Sequence, residues 1–362
     1  MKMRDIMLVA ILFVIAIFVT GCFQGEQTSE EIDPPPQSEA VEGQNVNGTD
    51  ESDQGEQQSK ESNQAGSQTE TVARQLYLID SNGMVAPQTL DIPLPESKEV
   101  AAQALEYLVM DGPVSALLPN GFRAVLPPGT EILGLNLQED GTMIVDVSED
   151  FKEYNGESEL QILQAMTYTL TEFDGVDRVQ LWIEGEEQEE MPVNGTPILD
   201  GYSRANGINI MPLAAGDIMN QEAVTVYFPA VHHETQYFVP VTQHVEGNQD
   251  NMFEAVVNAV LQGPNYESNL RHVFNMETAL LNEPTLKDGV LQLEFNQAIL
   301  KNREAGIISD DVMETLVRSL TEHQGVKSVD VKVDQIDQIV NENGDVYKEP
   351  VNKNMFVPKD KL

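Results

Sequence analysis

Apolar residues recur along this chain in two blocks that repeat each other at offsets within a few residues of 150. In the first block Val100, Ala101, Ala104, Leu105, Leu108 and Val109 share the spacing of one helical face. Met252, Ala255, Val256, Ala259 and Val260 do the same in the second. Gly112-Pro113 and Gly263-Pro264 are expected to stop both helices. A hairpin is predicted next, because Met143, Val145 and Val147 alternate with more polar residues after Asp140-Gly141, as do Leu291, Leu293 and Phe295 after Asp288-Gly289. Leu160, Leu163, Met166 and Leu170, and then Met313, Leu316, Val317 and Leu320, mark a second helix. Ser158 with Gln161 suits a capping box at its start, Ser309-Asp310-Asp311 suits a helix N-terminus, and Gly175 and Gly325 are expected to end it as C′ residues. Val179, Leu181 and Ile183, with Val329, Val331 and Val333, read as closing strands. Leu76 and Leu78, with Val224, Val226 and Phe228, read as opening ones. Each block is thus predicted to be β-α-β-β-α-β, an α+β fold with helices on one face of a small sheet in a two-layer sandwich.

The blocks share sequence as well as pattern. "LTEFDGVDRV" at Leu170 to Val179 returns as "LTEHQGVKSV" at Leu320 to Val329, with six of ten residues identical. "LVMDGP" ending at Pro113 answers "AVLQGP" ending at Pro264, and "DGTMIVDVSEDF" from Asp140 answers "DGVLQLEFNQAI" from Asp288. The order is kept, so the chain carries a tandem duplication. Expected bounds are 74–200 for the first domain, 201–221 for an inter-domain linker, 222–352 for the second domain and 353–362 for a C-terminal tail.

The N-terminus follows other rules. Lys2 and Arg4 precede an almost purely apolar run from Ile6 to Val19, whose 14 residues make a helix of roughly 21 Å at about 1.5 Å per residue, short of the roughly 30 Å hydrocarbon core of a bilayer. It reads as a signal peptide, residues 1–21. Val19-Thr20-Gly21-Cys22 resembles a bacterial lipobox, and the resemblance implies cleavage before Cys22 and lipidation of its sulfur. As the only cysteine in the chain, Cys22 has no partner for an internal disulfide. Acyl anchoring there implies residence on the extracytoplasmic face of the cell membrane. From Phe23 to Val72 there are twelve Asp or Glu and one Lys among Gln, Ser, Gly and Asn. Such a segment lacks the apolar surface to offset its ordering entropy, so 22–73 is expected to be a lipidated, disordered acidic tether. Within it, Asp50, Ser52, Gln54, Gly55 and Glu61 have the spacing of a calcium loop, without amphipathic helices on either side, and chance spacing in an acid-rich linker is the preferred explanation.

Taken together, the tandem helix-Gly-Pro, Asp-Gly hairpin and "LTE..GV..V" patterns behind a lipobox and polar tether resemble the GerM family of spore germination and sporulation lipoproteins. The resemblance implies two GerMN domains similar to ring-building motifs, no catalytic activity and no cofactor. It also implies partners among the protein components of the channel apparatus between mother cell and forespore. The second copy departs most between Asn265 and Pro284, where "NYESNLRHVFNMETALLNEP" replaces the proline-rich first-copy segment.

Composition and candidate chemistry narrow the remaining classes. Twenty basic against sixty acidic residues give a formal net charge of −40 at pH 7, which disfavours nucleic acid and anionic lipid head groups as partners. No G-x-S-x-G turn, phosphate loop or H-E-x-x-H helix is present. His232, His233, Glu234 and His244 form the best metal candidate, against which stands a simpler reading as exposed polar positions. His323 occupies the position of Phe173 in the other copy, where a partly buried imidazole or a cation facing the helix dipole suffices. Asp146 corresponds to Glu294, and Asp146 with Asp150 is a carboxylate pair that could be proposed for wall hydrolysis. The second copy has Glu294 and Ala298 there, which favours an ion pair or a solvated face. Arg123 corresponds to Arg271, and both are candidate interface residues. The leading expectation is a membrane-anchored, non-enzymatic assembly factor whose two similar domains raise each other's effective concentration at a shared target. A solute-binding lipoprotein of a transporter and a peptidoglycan hydrolase are the alternatives, and no small-molecule substrate is expected.

Overall fold

The computed structural model describes residues 70–94, 100–211, 221–246 and 252–356, all of which lie in the unit Ala65–Leu362. The signal peptide, Cys22, most of the tether and its calcium-like spacing lie outside the described residues. The first repeat opens with β1 (Thr71–Asp80) and β2 (Val85–Pro93), an antiparallel hairpin. Helix α1 (Val100–Glu106) follows, then β3 (Phe122–Arg123), which pairs with β1, and β4 (Ile132–Leu137) and β5 (Thr142–Val147). Next come helix α2 (Glu159–Leu170), β6 (Arg178–Ile183), β7 (Glu186–Glu187) and β8 (Tyr202–Ser203). The second repeat has the hairpin β9 (Gln221–His232) and β10 (Thr235–Glu246), helix α3 (Met252–Gln262), and strands β11 (Thr285–Lys287) and β12 (Val290–Phe295). It closes with the short pair β13 (Leu300–Asn302) and β14 (Ile307–Ile308), helix α4 (Asp310–Thr321) and β15 (Ser328–Val333).

Two mixed sheets result. β4 runs antiparallel to β5, and β5 parallel to β6, giving the order β4-β5-β6-β7; the second repeat has β11-β12-β15 with the same directions. The parallel step is what a strand-helix-strand crossover through α2 or α4 requires. Each repeat thus differs from the single expected sheet, because its opening strand pairs with an additional strand to make a separate hairpin. β2 was hidden by Pro87 and Pro93, residues that weaken any strand assignment. Pro87 nevertheless stands opposite Tyr77, as Pro240 stands opposite Tyr227.

Helix α2 packs against both β1 and β6, and α4 against both β9 and β15. Burial of ten of the twelve α2 residues follows from this double contact. Val145, Val147, Leu163, Met166 and Leu181 are buried in the first repeat and Leu291, Phe295, Met313, Leu316 and Val329 in the second, all within one continuous hydrophobic core.

Several boundaries differ from expectation. Helix α1 ends at Glu106, and Gly112-Pro113 instead opens a short 3-10 turn, Pro113–Ala116; in the second repeat Gly263, at φ +83°, does end α3. No capping box forms at α2. A 3-10 turn, Gly156–Ser158, precedes the helix and the Asn155 side chain accepts from Glu157 N, while Gln161 donates to Gly83 O. Gly175 and Gly325 have positive φ but lie beyond the helix ends, in the turn that leads to β6 and β15. In the expected C-terminal tail, Lys353–Phe356 is a 3-10 turn and Phe356 packs on the core.

Candidate functional site: the joint between the repeats

The two "LTE" segments that revealed the duplication end in glutamates, and the fold brings both to one cation. Thr169 Oγ1 accepts from Tyr77 N at 3.0 Å, which fixes α2 to β1; Ser319 Oγ accepts from Tyr227 N at 2.9 Å, which fixes α4 to β9. Each tyrosine hydroxyl then donates to the glutamate one turn along its helix: Tyr77 to Glu172 at 3.3 Å, Tyr227 to Glu322 at 3.0 Å. Between them lies Arg204, which donates to Glu172 through Nη2 and to Glu322 through Nη1. Its Nε donates to Thr171 Oγ1 at 2.8 Å, and its guanidinium carbon sits 4.6 Å from the centre of the Tyr168 ring.

This is a largely dry place for charge. Tyr77, Tyr168 and Tyr227 are buried, and the Arg204 side chain is 26 % exposed. Burial opposes the Arg204 charge, but the surrounding phenols and carboxylates outweigh it and hold the guanidinium charged far beyond any ordinary pH. Burial pushes the Tyr77 and Tyr227 phenols well above their usual range, reinforced by Glu172 and Glu322 at Tyr77 and by Glu322 at Tyr227, so both remain neutral donors. One arginine therefore serves two carboxylates, and the planar fork that reaches both is a geometry lysine lacks.

Arg204 is placed by the stretch expected to be a plain linker. β8 pairs with β6, aligning Tyr202 with Val179, and a capping box between Ser203 and Asn206 shapes the turn that carries the arginine. At Gly207, φ is +85° and an added Cβ would lie 2.9 Å from Thr242 Oγ1. The same Thr242 hydroxyl accepts from Ile208 N at 2.9 Å. Asn209 bridges the repeats: its side chain exchanges bonds with Val85 N and O of β2 and donates to Pro240 O of β10 at 2.7 Å. Tyr237 donates to buried Asp80 at 2.7 Å and stacks edgewise on Phe122 at 4.9 Å. Asn269 donates to Asn82 Oδ1 at 2.7 Å. The described part of the linker is thus a fastener, and the repeats are not two beads coupled through effective concentration alone.

The sequence-derived candidates fare differently. Arg271 donates to Gln236 and pairs with Asp311 at 3.5 Å, while Arg123 is exposed on β3 opposite Ile79. Their backbones occupy matching places, since Arg271 N donates to Pro229 O on the second opening strand. His232 and His244 lie at opposite ends of the β9–β10 hairpin, paired with Thr235 and Ala223, a separation of roughly 30 Å at about 3.3 Å per residue. They cannot share a metal ion. His232 instead meets Ser81 at 3.0 Å. Asp146 accepts from Gly185 N at 3.0 Å, fastening a tight turn, and Glu294 accepts from Asn282 at 2.6 Å, so both matched acids have local structural work. Burial lowers the His323 pKa, in keeping with a partly buried neutral ring. Arg204, Glu172, Glu322, Tyr77 and Tyr227 were the residues missed. Their signal was present in the 150-residue spacing of each Tyr and Glu pair, but a joint made by one linker residue leaves no second copy to match.

Paired α+β repeats joined through one arginine shared by two glutamates define a tandem two-repeat structural module. Among the described residues no group of histidine, cysteine or acidic side chains could hold a metal ion. A family profile described as Germane, sporulation and spore germination, matches residues 75–189 and 225–337. The spore germination protein GerM of Bacillus subtilis is 42 % identical over 345 residues, covering 93 % of each chain. The solved tandem GerMN domains of the sporulation protein GerM from Bacillus subtilis superpose with a TM-score of 0.72 at 44 % identity, covering 78 % of this chain and 97 % of that one. The chain belongs to the GerM sporulation and spore germination family.

Proposed function

We propose that this protein is a membrane-anchored assembly factor of sporulation and germination, docking onto the envelope complex that links mother cell and forespore. In this reading residues 1–21 are removed, Cys22 carries the lipid on the extracytoplasmic face, and the tether ahead of β1, shorter than expected because Thr71 to Ala73 pair with β2, lets the folded part work away from the bilayer. Domains 74–200 and 222–352 then present two related surfaces in one fixed arrangement. The observation that supports this best is the joint at Arg204. A chain that buries an arginine to hold two repeats in register keeps their outer surfaces at a set spacing, which suits a scaffold. A transporter's binding protein needs an open cleft between its lobes, whereas here that space is filled by Arg204, Asn209, Tyr237 and Phe122. Wall hydrolysis would need Asp146 free to act, and it is engaged with Gly185.

The test is crosslinking and co-purification of the tagged full-length protein from cells forming spores and from growing cells. Recovery of channel components only from the first sample is expected. Recovery of a transporter, or no difference between the samples, overturns the reading.

A further inference from the structure

Deepening that reading, we infer that the outer edge of β4 is the docking strand of the first repeat, and that it takes an extended, apolar partner segment carrying basic residues. β4 ends its sheet, hydrogen-bonded to β5 on one side only, and among the described residues nothing pairs with its other edge. Its sequence, Ile132-Leu133-Gly134-Leu135-Asn136-Leu137, contains no charge and no proline. Exposed strand edges are ordinarily blunted by such residues, because unpaired backbone groups invite another chain. The equivalent edge in the second repeat follows that custom: β11 has three residues, follows Pro284 and carries Lys287. The first repeat departs from it on a molecule of net charge −40.

Three further features indicate the occupant. A β-bulge separates Ile132 from Gly134 and turns Leu133 outward, 47 % exposed, leaving Gly134 to Leu137 in regular register. Gly134 itself has no internal cause: a Cβ there would meet nothing within 4 Å, and its φ is not positive. Glycine at an open strand position suits close approach by another chain. Finally, the start of β4 runs into a groove of about 450 Å³ lined by Val109, Met110, Pro113 and Ile132 together with Glu106, Asp111 and Glu131, with no basic residue in its lining. Apolar walls under three carboxylates accept the stem and head of a lysine or arginine. A second copy of this acidic chain would set carboxylate against carboxylate, so the partner is a different, locally basic protein that adds a strand.

A photo-crosslinking residue is placed at position 133, and separately at 286, in the full-length protein of spore-forming cells, and the joined peptides are sequenced. The inference expects adducts at 133 but not at 286, joined to a partner segment with Lys or Arg within a few residues. It also expects adduct yield to fall roughly tenfold or more in E106K/E131K, as opposed charges across an interface require. Gly134→Val is expected to keep thermal stability, valine being the better strand former, yet to lose the adduct. Equal adducts at 286, a joined peptide from a second copy, a non-basic peptide, or yields untouched by these variants overturn the docking edge. If channel components still co-purify while position 133 gives no adduct, the edge is wrong and the assembly role stands. If neither occurs, the assembly role itself fails.

Discussion

Glu159 shows how one residue can organise a loop. Its buried carboxylate accepts five bonds, from Tyr154 Oη, Val193 N, Asn194 N, Thr196 N and Thr196 Oγ1, at 2.6 to 3.1 Å. Burial alone would raise its pKa, but these donors outweigh it and hold the carboxyl below its ordinary 4.5. Its contribution is therefore present above that value and lost as pH falls through the depressed folded value. Glu159→Gln should cost about 2–4 kcal/mol in chemical denaturation at pH 7, since an amide cannot accept all five bonds and donors are stranded; an unchanged midpoint would contradict this. His323 has the same acid-side sign for a different reason. Burial keeps its ring neutral by lowering its pKa from 6.5, so the unfolded chain binds the proton first and stability declines as pH drops below about 6.5. His323→Phe, which restores the residue type of the first repeat, should remove that part of the pH dependence when denaturation midpoints are compared between pH 7.5 and 5.5.

At the scale of elements, Gly263 ends α3 in a left-handed conformation, and an added Cβ would lie 2.7 Å from the His272 ring. Gly263→Ala should therefore cost about 1–2 kcal/mol from the backbone conformation, with a further increment from displacing His272; a thermal midpoint equal to the parent's would show that the C-terminus of α3 is not held this way. The strands and helices that face a core on one side were legible because their apolar spacing occurs twice, as in Met143-Val145-Val147 and Leu291-Leu293-Phe295. β2 was not, because Pro87 and Pro93 interrupt its pattern. Gly112 misled for a related reason: it resembles Gly263 in sequence, but α1 had already ended at Glu106. The joint was the least legible part. Glu172 and Glu322 could be read as a repeated motif, yet only the path of Tyr202 to Met211 shows why both are needed.

On the scale of the whole molecule, the account rests on the repeats forming one body around Arg204. Removing the guanidinium leaves Glu172 and Glu322 facing each other across a semi-buried interface without a counter-ion, a loss of about 3–5 kcal/mol for a buried pair. Arg204→Lys should recover only part of it, because a single ammonium cannot repeat the fork that reaches Glu172, Glu322 and Thr171 together. The most direct measurement is differential scanning calorimetry of the folded protein beside its Arg204→Ala variant. The account predicts one cooperative transition for the parent and two separable, lower-temperature transitions for the variant, as each repeat unfolds on its own. A variant that still melts in a single transition at the parent's temperature would contradict it.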